Sequence, residues 1–157
     1  NHDIKSTSRT VKVDADNSEW ERTDDALYYC KDASSDATMR ISSDAENLYI
    51  LLEVSNIKMT SSDYMTVFLG PKSSSGTFGN SSLKIKVGPR GLIGTSPSTV
   101  VSAACDYEGT LTDNSDIDKG WLAEISVPLS ALNVSGGQLT VSASFDDNPS
   151  NGVLCTL

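Results

Sequence analysis

The stretch Asn47-Leu48-Tyr49-Ile50-Leu51-Leu52-Glu53-Val54 decides the fold. Leu48, Ile50, Leu52 and Val54 fall on one side of an extended chain, and Tyr49, Leu51 and Glu53 fall on the other. A repeat of two belongs to a β-strand, because successive side chains leave the backbone toward opposite faces. The same repeat recurs down the chain. Met65, Val67 and Leu69 alternate with Tyr64, Thr66 and Phe68, and Leu83, Ile85 and Val87 alternate with Lys84 and Lys86. Trp121, Ala123, Ile125 and Val127 alternate with Leu122, Glu124 and Ser126, and Leu139, Val141, Ala143 and Phe145 alternate with Thr140, Ser142 and Ser144. One apolar and one polar side per strand is the mark of an antiparallel sheet that packs on one face.

Further strands are expected over Thr10 to Val13, Leu27 to Cys30, Ala37 to Ile41, Gly91 to Thr95, Val100 to Tyr107 and Val153 to Thr156. Breaks fall at turn-forming residues, among them Ser34-Ser35-Asp36, Ser42 to Asn47, Gly88-Pro89-Arg90-Gly91 and Ser135-Gly136-Gly137. Lys72 to Asn80 reads as a loop. Only two short helical turns are expected, at Ser18 to Asp25 and at Pro128 to Leu132, with Pro128 at the first helical position. Many short strands without βα alternation specify an all-β fold, a two-sheet antiparallel β-sandwich of jelly-roll or immunoglobulin-like architecture. At 157 residues the chain fits one domain, residues 9–157, preceded by a polar tail, residues 1–8. The start at Asn1-His2 reads as a processed chain or a piece of a longer one.

The net charge of −9 repels phosphate backbones and anionic lipid, which argues against nucleic acid and membrane surfaces as partners. Neutral sugars, cations and basic proteins remain. The lone histidine is His2, in the tail, so no Ser-His-Asp or Cys-His arrangement is available, and no nucleotide-binding loop is present. The 21 acidic residues satisfy the inventory of a glycosidase, but most lie in turns, where carboxylates bond backbone N–H groups. The domain is therefore read as a non-enzyme. Cys30, Cys105 and Cys155 form an odd set without a CxxC spacing; Cys30 and Cys105 read as buried small hydrophobes, with one disulfide as the alternative.

Four stretches resemble the family 9 carbohydrate-binding modules and the wider DOMON-like β-sandwich group. They are Val13 to Trp20, Ser43 to Asn56, Asp63 to Leu69, and Lys119 to Leu132 with its Gly120-Trp121, Glu124, Pro128 and Leu132. The resemblance implies a β-sandwich, often with calcium, attached to a glycoside hydrolase and gripping a terminal sugar between two loop tryptophans. This chain departs from that pattern. Neither Ser55 to Ser62 nor Asp146 to Leu157 contains a Trp, and Thr66 and Lys86 stand where the family's sugar-binding strands offer an acid and an Arg.

Trp20 and Trp121 read as packing residues, and Tyr64, Phe68, Phe78 and Tyr107 as better-placed ring platforms, with Tyr49 on the same parity. The expected ligand positions are Tyr64, Thr66, Phe68, Lys84, Lys86 and Arg40, where cationic donors and rings meet sugar hydroxyls. The calcium candidates are Asp14, Asp16, Asp146 and Asp147, because calcium takes six to eight oxygens and carboxylates on turns supply them. Haem is not expected, with His2 in the tail and Met39 and Met65 on core parities. The reading is a non-catalytic, monomeric, carbohydrate-binding-like module of an extracellular or bacterial cell-surface protein. Its partners are a glycan and the neighbouring domains of the same chain. The alternative is a structural or protein-interaction sandwich that has lost the sugar site.

Overall fold

The Asn47–Asn56 stretch is the middle strand of its sheet, paired on both sides along its length. The computed structural model describes residues 10–20, 28–31, 35–56, 58–71, 82–113, 115–132, 139–146 and 153–156, with the backbone alone described at 28–31 and 153–156. Among these residues the strands in chain order are β1 (Tyr28–Lys31), β2 (Ser35–Ser43), β3 (Asn47–Asn56), β4 (Tyr64–Pro71) and β5 (Leu83–Gly88). They continue with β6 (Gly91–Ser96), β7 (Ser102–Glu108), β8 (Gly120–Pro128), β9 (Leu139–Asp146) and β10 (Val153–Thr156). The first sheet runs β1-β2-β3-β8-β7 and the second β10-β9-β4-β5-β6, and every pairing is antiparallel.

The alternation read from the sequence sorts the two faces. Ala37, Met39, Ile50, Leu52, Met65, Val67, Leu69, Ile85, Ala123, Ile125 and Phe145 are buried to 1% exposure or less between the sheets. Each large side chain taken out of water there contributes about 1.5–3 kcal/mol. Met59, Leu111 and Leu132 close the core from the loops. Among the described residues no helix is long and apolar enough to cross a membrane.

Three sequence expectations are corrected. Residues 10–13 form no strand; Val11 instead packs on the outer side of the first sheet with Trp20, Tyr49 and Leu51. Ser35 and Asp36 are not a turn but the start of β2, paired with Asn56 and Ser55, because β3 extends two residues past Val54 and offers partners. The late turn is a 3-10 turn at Leu129–Ala131 that Pro128 caps from an extended conformation, as the end of β8, rather than occupying its first position. The early turn is a 3-10 turn at Asn17–Glu19, and residues 21–25 of the expected span lie outside the described residues. The loop Lys72 to Asn80 lies outside them as well.

Candidate functional site

Five of the six ligand positions come together on the outer side of the second sheet. Thr66 of β4 pairs with Lys86 of β5, and Phe68 pairs with Lys84. On the other flank of β4, Thr66 faces Ser144, Phe68 faces Ser142 and Tyr64 faces Asp146 of β9. Opposite residues in an antiparallel pair share a face, so these side chains form one ladder. The Lys86 ammonium lies 3.7 Å from the centre of the Tyr64 ring, and the Lys84 ammonium 5.7 Å from that of Phe68. The Tyr64 phenol faces the Asp146 carboxyl across the β4–β9 register. Burial pushes the Tyr64 phenol above its ordinary value, with the Asp146 charge adding to the shift. Burial likewise raises the Asp146 carboxyl, against the lowering from the Tyr64 phenol and the Lys86 charge. The ladder thus offers half-buried rings, two ammonium donors and the Thr66 hydroxyl, with Ser142, Ser144 and Asp146 buried along its β9 side.

Arg40 does not join them. It lies on β2, on the outer side of the first sheet, because that sheet's outward positions point away from the second sheet across the core. There its Nε is 3.7 Å from Glu53, whose other oxygen accepts from the Asn17 side-chain amide at 3.1 Å. The two residues border a groove of about 650 Å3 that also takes in Asp36, Thr38, Ser55 and Asp106. Trp20 walls one side of it, and Tyr107, 41% exposed, stands at another.

Beyond the groove the first sheet is roofed by residues 10–20. Glu124, outward on β8, is 1% exposed beneath that roof. One of its oxygens accepts from the backbone N–H of Asp16 at 3.0 Å and of Asp14 at 3.4 Å, and the other from the Trp20 indole at 3.1 Å. Burial raises the Glu124 carboxyl, partly offset by these bonds. Gathering two N–H groups on one oxygen bends the chain sharply, and Ala15 between them takes a φ of 64°, a conformation that disfavours any Cβ-bearing residue. The sequence placed Glu124 on an exposed polar face; the apolar residues Tyr49, Leu51 and Leu122 on that same parity were the signal that the face is covered. The packing roles of Trp20 and Trp121 hold, at 6% and 4% exposure.

The calcium candidates are dispersed. Asp14 is paired with Lys12 at 2.9 Å, which holds its carboxyl below the ordinary value, and Asp16 caps the 3-10 turn through the Ser18 N–H. Asp146 belongs to the ladder on the other sheet, and Asp147 lies outside the described residues. Among the described residues no three metal-ligating side chains converge, and Asp14 and Asp16 stand over the first sheet while Asp146 lies on the second.

The loop from Asn56 to Asp63 is tied inward. The buried Asp63 carboxylate accepts from the Asn56 amide at 3.1 Å and from the Thr60 N–H at 2.8 Å. Asp118, also buried, accepts from the Met59 N–H at 2.8 Å and the Thr110 N–H at 2.7 Å. These bonds hold Met59 fully buried in the core. Gly109 is required beside Asp118: its φ is 133° and a Cβ there would lie 2.2 Å from the Asp118 carboxylate.

No protein-family model matches the chain, and no curated protein matches it. Solved structures do. A family 9 carbohydrate-binding module from Caldicellulosiruptor kristjanssonii in complex with glucose is similar, with a TM-score of 0.70 and 14% identity, over 98% of this chain and 82% of that one. A structure described as a family 9 module from the same organism, in complex with cellotriose, is similar with a TM-score of 0.64 at 14% identity, over 96% of this chain and 80% of the other. The chain therefore has the β-sandwich fold of the family 9 carbohydrate-binding modules.

Proposed function

We propose that this chain is a non-catalytic carbohydrate-binding module of an extracellular protein, and that its ligand face is the outer ladder of β9, β4 and β5. One observation carries the reading. Thr66 and Lys86, taken from separate stretches of sequence, are direct register partners, with the Tyr64 ring 3.7 Å from the Lys86 ammonium. A pyranose presents an apolar face and a rim of hydroxyls. An aromatic ring suits the first, and ammonium, hydroxyl and carboxylate groups suit the second. An exposed lysine–ring contact is worth about 0.5–1 kcal/mol, so a sugar displaces Lys86 from the ring at small cost and gains its donors. The similar solved structures hold glucose and cellotriose, which supports a glucose-based glycan as the ligand class. Tethered to a glycoside hydrolase, such a module raises the effective concentration of glycan at the catalytic domain.

A second reading is a module that recognises a protein partner instead. The inward-tied loop around Met59 favours it, since that loop presents no large ring among its described residues.

Calorimetric titration with glucose, cellotriose and a soluble β-glucan tests both. Saturable binding that weakens in Tyr64→Ala and Lys86→Ala establishes the sugar face. A folded protein that binds none of the three leaves the protein-partner reading.

A further inference from the structure

The outermost strands of the two sheets lie side by side. β1 ends the first sheet and β10 ends the second, and Cα atoms of β1 come within 8 Å of Cα atoms of both β10 and β9. Each outermost strand carries one cysteine. Cys30 stands opposite Ala37 in the β1–β2 register, and Cys155 stands opposite Phe145 in the β10–β9 register. Ala37 and Phe145 are both fully buried between the sheets. Since opposite residues share a face, both cysteines occupy inner-face positions, one on each side of the same sandwich edge. We propose that Cys30 and Cys155 form a disulfide that joins the two sheets along this edge.

The third cysteine is excluded by its place. Cys105 lies on β7, at the far end of the first sheet from β1. Four strand spacings separate them, roughly 19 Å, and a disulfide spans Cα atoms roughly 4.4–6.8 Å apart. Burial also pushes the Cys105 thiol up to about 11, so at neutral pH it supplies almost no thiolate for exchange.

The chemistry needs an acceptor. Two S–H bonds break, one S–S bond forms, and two electrons and two protons pass to an external disulfide, which becomes a dithiol. The exchange runs through a mixed disulfide on one of the two cysteines. Such acceptors belong to oxidising compartments, in keeping with an extracellular module. The link does two things for the fold. It ties strands that lie near the two ends of the chain, closing most of the sequence into a loop and restricting the unfolded ensemble. It also joins the two strands that, among the described residues, end their sheets, and sheet edges are where pairing with other chains begins.

The test uses the whole chain refolded in a glutathione redox buffer and then alkylated under denaturing conditions. The expected result is a mass about 2 Da below the fully reduced protein before alkylation, then alkylation at Cys105 alone, and one proteolytic peptide pair linking Cys30 to Cys155. Reduction should lower the melting temperature by roughly 10 °C. Three alkylated thiols, or a pair that includes Cys105, overturns the proposal. Cys105→Ser should keep both the mass deficit and the response to reductant. Cys30→Ser with Cys155→Ser should melt at one temperature with or without reductant. Should that double variant not fold, the Cys105→Ser protein still decides the matter by its mass. None of these readouts involves sugar, so the outcome is independent of the glycan reading.

Discussion

On the first sheet the outward positions Tyr49, Leu51 and Leu122 lie under Val11 and Trp20, whereas on the second the outward positions Tyr64, Thr66 and Phe68 sit half-buried between two lysines and a carboxylate. Both sets occupy the same strand parity. The difference is in their chemistry. Apolar outward residues on neighbouring strands create surface that must be covered, and residues 10–20 cover it. Rings edged by charge are content at a wet surface. The roofed face has become part of the stability of the domain, and the open face is the one we propose for recognition. Where the roof stops, the first sheet keeps a polar groove with Arg40 and Glu53 at its floor.

The largest expected effect belongs to the roof. Glu124→Ala removes the carboxylate that accepts from the Trp20 indole and from the N–H groups of Asp14 and Asp16, leaving Asp16 its second acceptor on Asp14. Urea unfolding should show a loss of about 3 kcal/mol, from the lost charge-assisted bonds. A loss below about 1 kcal/mol would mean the roof is not held by this carboxylate. On the open face the same kind of truncation should spare the fold and remove affinity. Lys86→Ala is expected to weaken sugar binding about 10-fold, or ~1.4 kcal/mol, with unfolding free energy moved by less than about 0.5 kcal/mol. If Lys86→Ala instead destabilises and leaves affinity intact, the two faces do not divide the work as described.

Ala15→Gly sharpens the account of the roof. Its φ of 64° costs nothing for glycine. The relief of strain outweighs the added freedom of the unfolded chain, so stability should rise by about 0.5 kcal/mol in the same assay. Arg40→Ala, in the groove, should change sugar affinity less than about 2-fold in the calorimeter; a 10-fold loss would move the ligand to the first sheet. The smallest effect concerns acid. The Asp44 carboxyl is held down to about 2, first by the Tyr49 hydroxyl and then by the N–H groups of Glu46 and Asn47. Its proton is held less tightly in the folded than in the unfolded chain. Its contribution is therefore intact above the ordinary value of 3.8 and fades as pH falls toward about 2. Melting curves across that window should fall less steeply for Tyr49→Phe than for the parent.

Much of this was legible beforehand, and the residues say why. The core parities of Leu48 to Val54, of Met65 to Leu69 and of Trp121 to Val127 were readable because strand geometry fixes which side chains share a face. The pairing of Thr66 with Lys86 on one face follows from two parities and one register. Arg40 shares the same outward parity as Lys86, yet parity carries no information about which sheet a strand joins. Asp146 read as a turn carboxylate and is instead the last residue of β9, opposite Tyr64.

By itself, then, the sequence determined that the chain makes strands and that each strand has one core side. Those properties are local: two residues of alternation and the identity of a side chain suffice. Only the tertiary structure decided that Arg40 and Lys86 lie on opposite outer faces, that Glu124 is buried under Trp20, and that the strands bearing Cys30 and Cys155 meet at one edge. These depend on which strands become neighbours. That choice is made by contacts between residues far apart in the chain, such as Tyr64 with Asp146 and Trp20 with Glu124, and no short stretch of sequence records it.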